Sequence, residues 1–180
     1  MLKRLDFQHF EFDEEIYAKS VGRVLTNSHS ITELSVSHIL FTHPKSFYDV
    51  CASILNDRCR LNILKLKGIN INQLEGKIIQ FILMKNKSLS TVEISHCKAD
   101  NHENYEYFLG KIDQFCNVRN LTIENLQPDI SFAVEVFGEA LAENKRLETL
   151  VMKENRIKGN LYAAFWTAIL PNKNLSKMNL

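Results

Sequence analysis

The 180-residue chain has no run of about 18 consecutive apolar residues, so no segment can cross a membrane as a helix. Its opening, MLKRLDFQHFEFDEE, passes from two basic residues straight into acidic ones without the apolar stretch of a secretory signal. The expected location is cytoplasmic. Four cysteines, Cys51, Cys59, Cys97 and Cys116, show no CxxC pairing, so they read as reduced core thiols rather than zinc ligands or a redox pair. With 22 basic and 21 acidic residues the net charge is +1, and no global field draws the chain to nucleic acid or to an anionic membrane. None of GxxxxGK[ST], GxSxG, HExxH or GxGxxG occurs. The chain is accordingly expected to be no enzyme and to hold no cofactor and no metal.

What the chain does contain is a repeat. The pattern LxxLxL recurs as LKRLDF, ITELSV, LNILKL, LSTVEI, VRNLTI, LETLVM and LSKMNL. Its fourth place is Leu5, Leu34, Leu64, Val92, Leu121, Leu150 and Met178, at intervals of 29, 30, 28, 29, 29 and 28 residues. Near-equal intervals with this core predict a leucine-rich-repeat solenoid over residues 1–180, with about six repeats of 28–30 residues in one α/β domain. Between the strands, helical spacing links Phe47, Cys51, Ile54 and Leu55, then Leu74, Ile78, Ile82 and Leu83, then Tyr105, Phe108, Leu109 and Ile112. Phe132, Val136, Phe137, Ala140 and Leu141 follow, and then Leu161, Phe165, Ile169 and Leu170. Pro44, Asp129 and Asn160 stand near helix starts.

Repeats of this length, one strand and one full helix each, resemble the ribonuclease-inhibitor type of leucine-rich repeat. That resemblance implies a curved parallel sheet on the concave face and helices on the convex one. In that family the ninth place is usually Asn or Cys. Asn155 and Cys97 match it, whereas Phe10, Ile39, Ile69 and Leu126 depart from it.

Side chains alternate along a strand, so the third, fifth and seventh places face outwards as columns. Ser35, Lys65, Lys67, Glu93, Ser95, Thr122, Glu124, Val151 and Lys153 are the expected partner-binding residues. At about 4.8 Å per strand the face is roughly 29 Å long, a size that suits a protein partner better than a metabolite. The eighth place holds His9, His38 and His96, read as solvated turn histidines in preference to a shared metal site. Pairs such as Glu103 and Glu106 fall on helices, where such spacing gives a solvated face. Trp166 is read as packing on the neighbouring repeat, with a partner anchor as the other reading. The sequons at Asn86, Asn120 and Asn174 are attributed to chance in an asparagine-rich chain.

Both ends of the array are expected to be uncapped, with Leu2, Leu5, Phe7, Met178 and Leu180 touching neighbours. The segment AVEVFGEALAENKRLETLVMKENRI is similar to the strand-helix units of cytoskeletal regulators such as tropomodulin and the actin-uncapping leucine-rich proteins, and of axonemal subunits of the dynein regulatory complex. This resemblance implies a non-catalytic interaction scaffold within a cytoskeletal or ciliary assembly. The alternatives are a regulator of an enzyme, of the small-GTPase-activating or nuclease-inhibiting type, and a substrate-recognition subunit of a ubiquitin ligase. The first would carry an acidic tail or an acidic concave face, and the second an F-box-like helical segment.

Overall fold

A computed structural model of the chain describes residues 2–9, 11–12, 15–41, 44–101, 103–127, 134–155, 157 and 159–179. Seven strands, β1 (Arg4–Gln8), β3 (Glu33–Ser37), β5 (Ile63–Lys67), β7 (Thr91–Ser95), β9 (Asn120–Glu124), β10 (Thr149–Lys153) and β11 (Lys177–Asn179), form one parallel sheet in chain order. Short strands β2 (Glu11–Phe12) and β4 (Leu40–Phe41) pair with each other, as do β6 (Asn70–Ile71) and β8 (Lys98–Ala99). Parallel neighbours require a crossover, and helices supply it. These are α1 (Glu15–Asn27), α2 (Pro44–Ile54), α3 (Gln73–Lys85), α4 (Glu103–Leu109), which continues into a 3-10 turn at Ile112–Gln114, α5 (Val134–Glu143) and α6 (Gly159–Ile169). Consecutive helices pack side by side, so the molecule is a mixed α/β fold with one parallel sheet and six helices among the described residues.

The register follows the sequence repeat. Leu5, Leu34, Leu64, Val92, Leu121, Leu150 and Met178 lie opposite one another in successive strands. From Leu34 to Leu150 these anchors are at most 2% exposed. The first and sixth places are buried with them, and the side chains from Ala18 to Ile169 form one continuous core. Burying each such leucine contributes about 1.5 to 3 kcal/mol, which is why the spacing dictates the register.

Two further columns make the repeat possible. The eighth place is left-handed at every turn from β1 to β10: His9, His38, Gly68, His96, Asn125 and Glu154 have φ of 50°, 51°, 61°, 54°, 45° and 53°. His and Asn tolerate that region better than most side chains, and Gly is at ease there. The turn keeps the ladder going, because the N–H of His38 donates to Lys67 O at 2.7 Å, that of Gly68 to Ser95 O at 2.9 Å and that of His96 to Glu124 O at 2.8 Å. The second column is asparagine, in NKSL, NKRL and NKNL before β7, β10 and β11. Asn86 donates to Ile54 O at 2.6 Å and accepts from Ser88 N at 2.8 Å and Leu89 N at 2.7 Å. Asn144 and Asn172 repeat this bracket, tying a preceding turn to the chain that enters the strand. Asn86 is 6% exposed, so its sequon cannot accept a glycan in this fold.

The helices depart from the expected phase at three places. Leu74 is exposed and Ile78 half-buried, while Glu75, Gly76, Ile79, Ile82 and Leu83 are buried. A capping box causes the shift: Asn72 accepts from Leu74 N and Glu75 N, and Glu75 accepts from Asn72 N, which draws Glu75 inwards. Val136 is exposed because Phe137, Ala140 and Leu141 fill the inward face of α5, and it rests instead against Gly110. Leu170, just past the end of α6, is 77% exposed. Phe132 and Asp129 lie outside the described residues.

Candidate functional site

The face of the sheet away from the helices presents three rows. Third-place residues run Arg4, Glu33, Ile63, Thr91, Asn120 and Thr149, and fifth-place residues run Asp6, Ser35, Lys65, Glu93, Thr122 and Val151. Ser37, Lys67, Ser95, Glu124 and Lys153 lie in register in the seventh-place row. At one end the charges engage one another: Arg4 pairs with Asp6 at 2.8 Å and approaches Glu33 at 3.7 Å, while Lys65 Nζ lies 3.1 Å from Glu33 Oε1. Burial pushes the Asp6 carboxyl up, but hydrogen bonds from Ser35, Gln8 and Arg4 and the Arg4 charge outweigh it and leave it below its ordinary value. Lys67, on the same strand as Lys65, and Lys153, near the other end of the sheet, are exposed and make no ion pair among the described residues.

Accessible side chains at Lys65, Lys67, Glu93, Thr122, Glu124, Val151 and Lys153 share this surface as expected from alternation. Ser35 and Ser95 do not, being 8% and 2% exposed. Alternation fixes direction, not depth: the short Ser95 side chain lies in register between the longer Lys67 and Glu124. Ser95 Oγ has no hydrogen-bond partner among the described residues. Of the expected end contacts, Leu2 is 60% exposed, Leu5, Phe7 and Met178 are partly buried against the core, and Leu180 lies outside the described residues.

The histidines do not act as one set. His9 and His38 stack with ring centres 5.0 Å apart and planes 6° from parallel, and His38 leans over Gly68. His96 is engaged separately, with Nε2 4.0 Å from Glu124 Oε1. Ligand atoms of His96, Glu124 and Glu154 all lie within 4.8 Å of one another, where one imidazole and two carboxylates can receive a cationic side chain or a divalent ion. Cys51, Cys59 and Cys97 are buried, and desolvation pushes their thiols up, that of Cys97 to about 11, away from nucleophilic reactivity. Trp166, 39% exposed, meets Tyr162 edge-on with ring centres 6.2 Å apart.

Three structural columns escaped the sequence reading: the left-handed eighth place, the asparagine brackets and the basic helix-to-strand loops described below. The repeated NKxL was the available signal for the second of these.

No protein-family model matches the chain, and no curated protein matches it in sequence. Among solved structures it is similar to the leiomodin-1 actin-binding site 2, with a TM-score of 0.67 and 12% identity over 89% of this chain and 88% of that one. At that identity the likeness is one of fold.

Proposed function

We propose that this protein is a non-catalytic interaction module whose partner is a protein of the cytoskeleton, bound on the open face of the sheet. On this reading the strand-helix repeat is a leucine-rich-repeat solenoid of the ribonuclease-inhibitor type. The observation that carries the proposal is the register itself, which holds Lys65 beside Glu93 and Glu124 beside Lys153 in rows along the sheet. Mixed charges in fixed rows favour one orientation of one partner over bulk affinity. The fold likeness to a fragment named for actin binding makes actin the first partner to try.

The experiment is co-sedimentation of the full chain with actin filaments, beside affinity capture from the native source with identification of the retained proteins. Saturable co-sedimentation, or recovery of a cytoskeletal protein that binds the purified chain directly, supports the proposal. Absence of both actin binding and direct binding of any recovered cytoskeletal protein would refute it.

A further inference from the structure

The segments that lead from helices into strands, 28–32, 55–62, 86–90, 115–119, 144–148 and 170–176, hold seven Lys and Arg but two Asp and Glu. The segments leading from strands into helices, 9–14, 38–43, 68–72, 96–102, 125–133 and 154–158, hold three and six. A net charge of +1 therefore conceals a basic edge. Helix C-termini attract cations, but the attraction fades within the last turn. Only α3 has a basic residue there, Lys85, whereas α1, α2, α4, α5 and α6 have none. The helix dipoles do not account for these charges.

Neighbours do not neutralise them either. Arg119 pairs with Glu148, but Arg58, Arg60, Lys87, Lys145, Arg146 and Lys173 are exposed and make no ion pair among the described residues. All of them but Arg58 border two grooves. One, of about 250 Å³, lies between Asp57, Arg60, Lys85 and Lys87. The other, of about 380 Å³, lies between Asn117, Arg119, Lys145, Arg146, Lys173 and Asn174. From the strand order their centres are two to three strands apart, about 10 to 14 Å at 4.8 Å per strand.

We propose that this edge is a second docking surface, separate from the open face, for an extended acidic protein segment with two acidic clusters three to four residues apart. The spacing follows from about 3.4 Å per extended residue, and Asn117 and Asn174 add amide donors for carboxylates beside the cations. A single-stranded nucleic acid fits less well, because such sites stack bases on exposed rings. The only Phe, Tyr or Trp in these segments is Phe115, which is 2% exposed. A membrane surface needs apolar anchors, and Leu170 is the one strongly exposed large apolar side chain here.

The test is fluorescence anisotropy of the full chain with a labelled peptide of about twelve residues carrying two Glu pairs three residues apart, and with its Gln counterpart. The Glu peptide should bind and the Gln peptide should not, and the affinity should fall several-fold between about 50 and 200 mM salt. K145Q/R146Q/K173Q should weaken binding about tenfold or more. Its melting temperature should be unchanged, and the single variant K173Q, which disturbs least, should weaken binding in the same direction. K67E/K153E, on the open face, should bind the peptide as the wild type does, so failure here is distinct from failure of the open-face proposal. Equal binding of both peptides, no binding at low salt, or full binding by the folded triple variant overturns the inference. Tighter binding to an oligothymidylate of equal length, or to vesicles containing phosphatidylserine, overturns it in favour of nucleic acid or membrane.

Discussion

Replacing Asn144 by alanine removes a bracket that no backbone group can replace. Its side chain, 1% exposed, donates to Ile112 O and accepts from Arg146 N at 2.8 Å and Leu147 N at 2.6 Å. Ile112 and Leu147 are themselves buried, so water cannot take over both lost partners. Each buried group left unsatisfied costs about 1 to 3 kcal/mol, while Arg146 N, near the surface, finds solvent more easily. The expected loss is therefore about 2 to 6 kcal/mol, a large share of a typical domain's stability. Urea unfolding followed by circular dichroism and by Trp166 fluorescence measures it, with coincident curves required before a single free energy is assigned. Asn174→Ala, at an exposed position two residues past the matching Asn172, should cost under about 0.5 kcal/mol. A loss at Asn144 below about 1 kcal/mol, or equal to that at Asn174, would refute the bracket as a structural element.

Other perturbations probe other parts of the fold. A Cβ on Gly76 would lie 2.6 Å from the Asn104 carbonyl oxygen, so Gly76→Ala should destabilise by about 1 kcal/mol or more despite alanine's helix preference; a stabilised variant in urea would contradict the close approach of α3 and α4. Desolvation raises Glu75 above its ordinary value of 4.5, with a smaller push from Asp100, although two backbone N–H groups oppose the shift. Because the folded value is the higher one, the stabilising contribution is complete below 4.5 and is lost as pH rises through the folded value. Glu75→Gln keeps the capping box in neutral form, so it should equal or exceed the wild type in stability near neutral pH, with the difference shrinking as pH falls towards 4.5; a gap that widens on acidification would refute the sign. Leu121→Ala, at a core anchor, should cost about 2 to 5 kcal/mol and Lys98→Ala very little; equal urea midpoints would mean the register of β9 is wrong.

The strands were legible in the sequence because burial of one column recurs at a nearly fixed interval, and Leu5 to Met178 stand opposite one another as the spacing requires. Helix phase was less legible. Leu74 looks like a core residue by period alone, and only the Asn72–Glu75 capping box turns it outwards. The open face of the sheet was legible in direction but not in depth, which is why Lys67 and Lys153 are exposed while Ser35 and Ser95 are not. The histidines drew attention as possible ligands, yet what their column shares is a left-handed backbone, and Gly68, Asn125 and Glu154 belong to it equally. Asn86 was legible only as a sequon until its partners Ile54 and Leu89 were in place.

The most direct test of partner binding through the open face is the affinity of the captured partner for two variants of equal charge change. Lys67→Glu with Lys153→Glu alters the sheet, and Arg23→Glu with Lys111→Glu alters exposed positions on the helix side. Isothermal titration should show the first pair weakening binding about tenfold or more with a smaller salt dependence, and the second pair leaving both unchanged. Equal affinities for the two variants, or loss confined to the helix-side pair, would contradict the account.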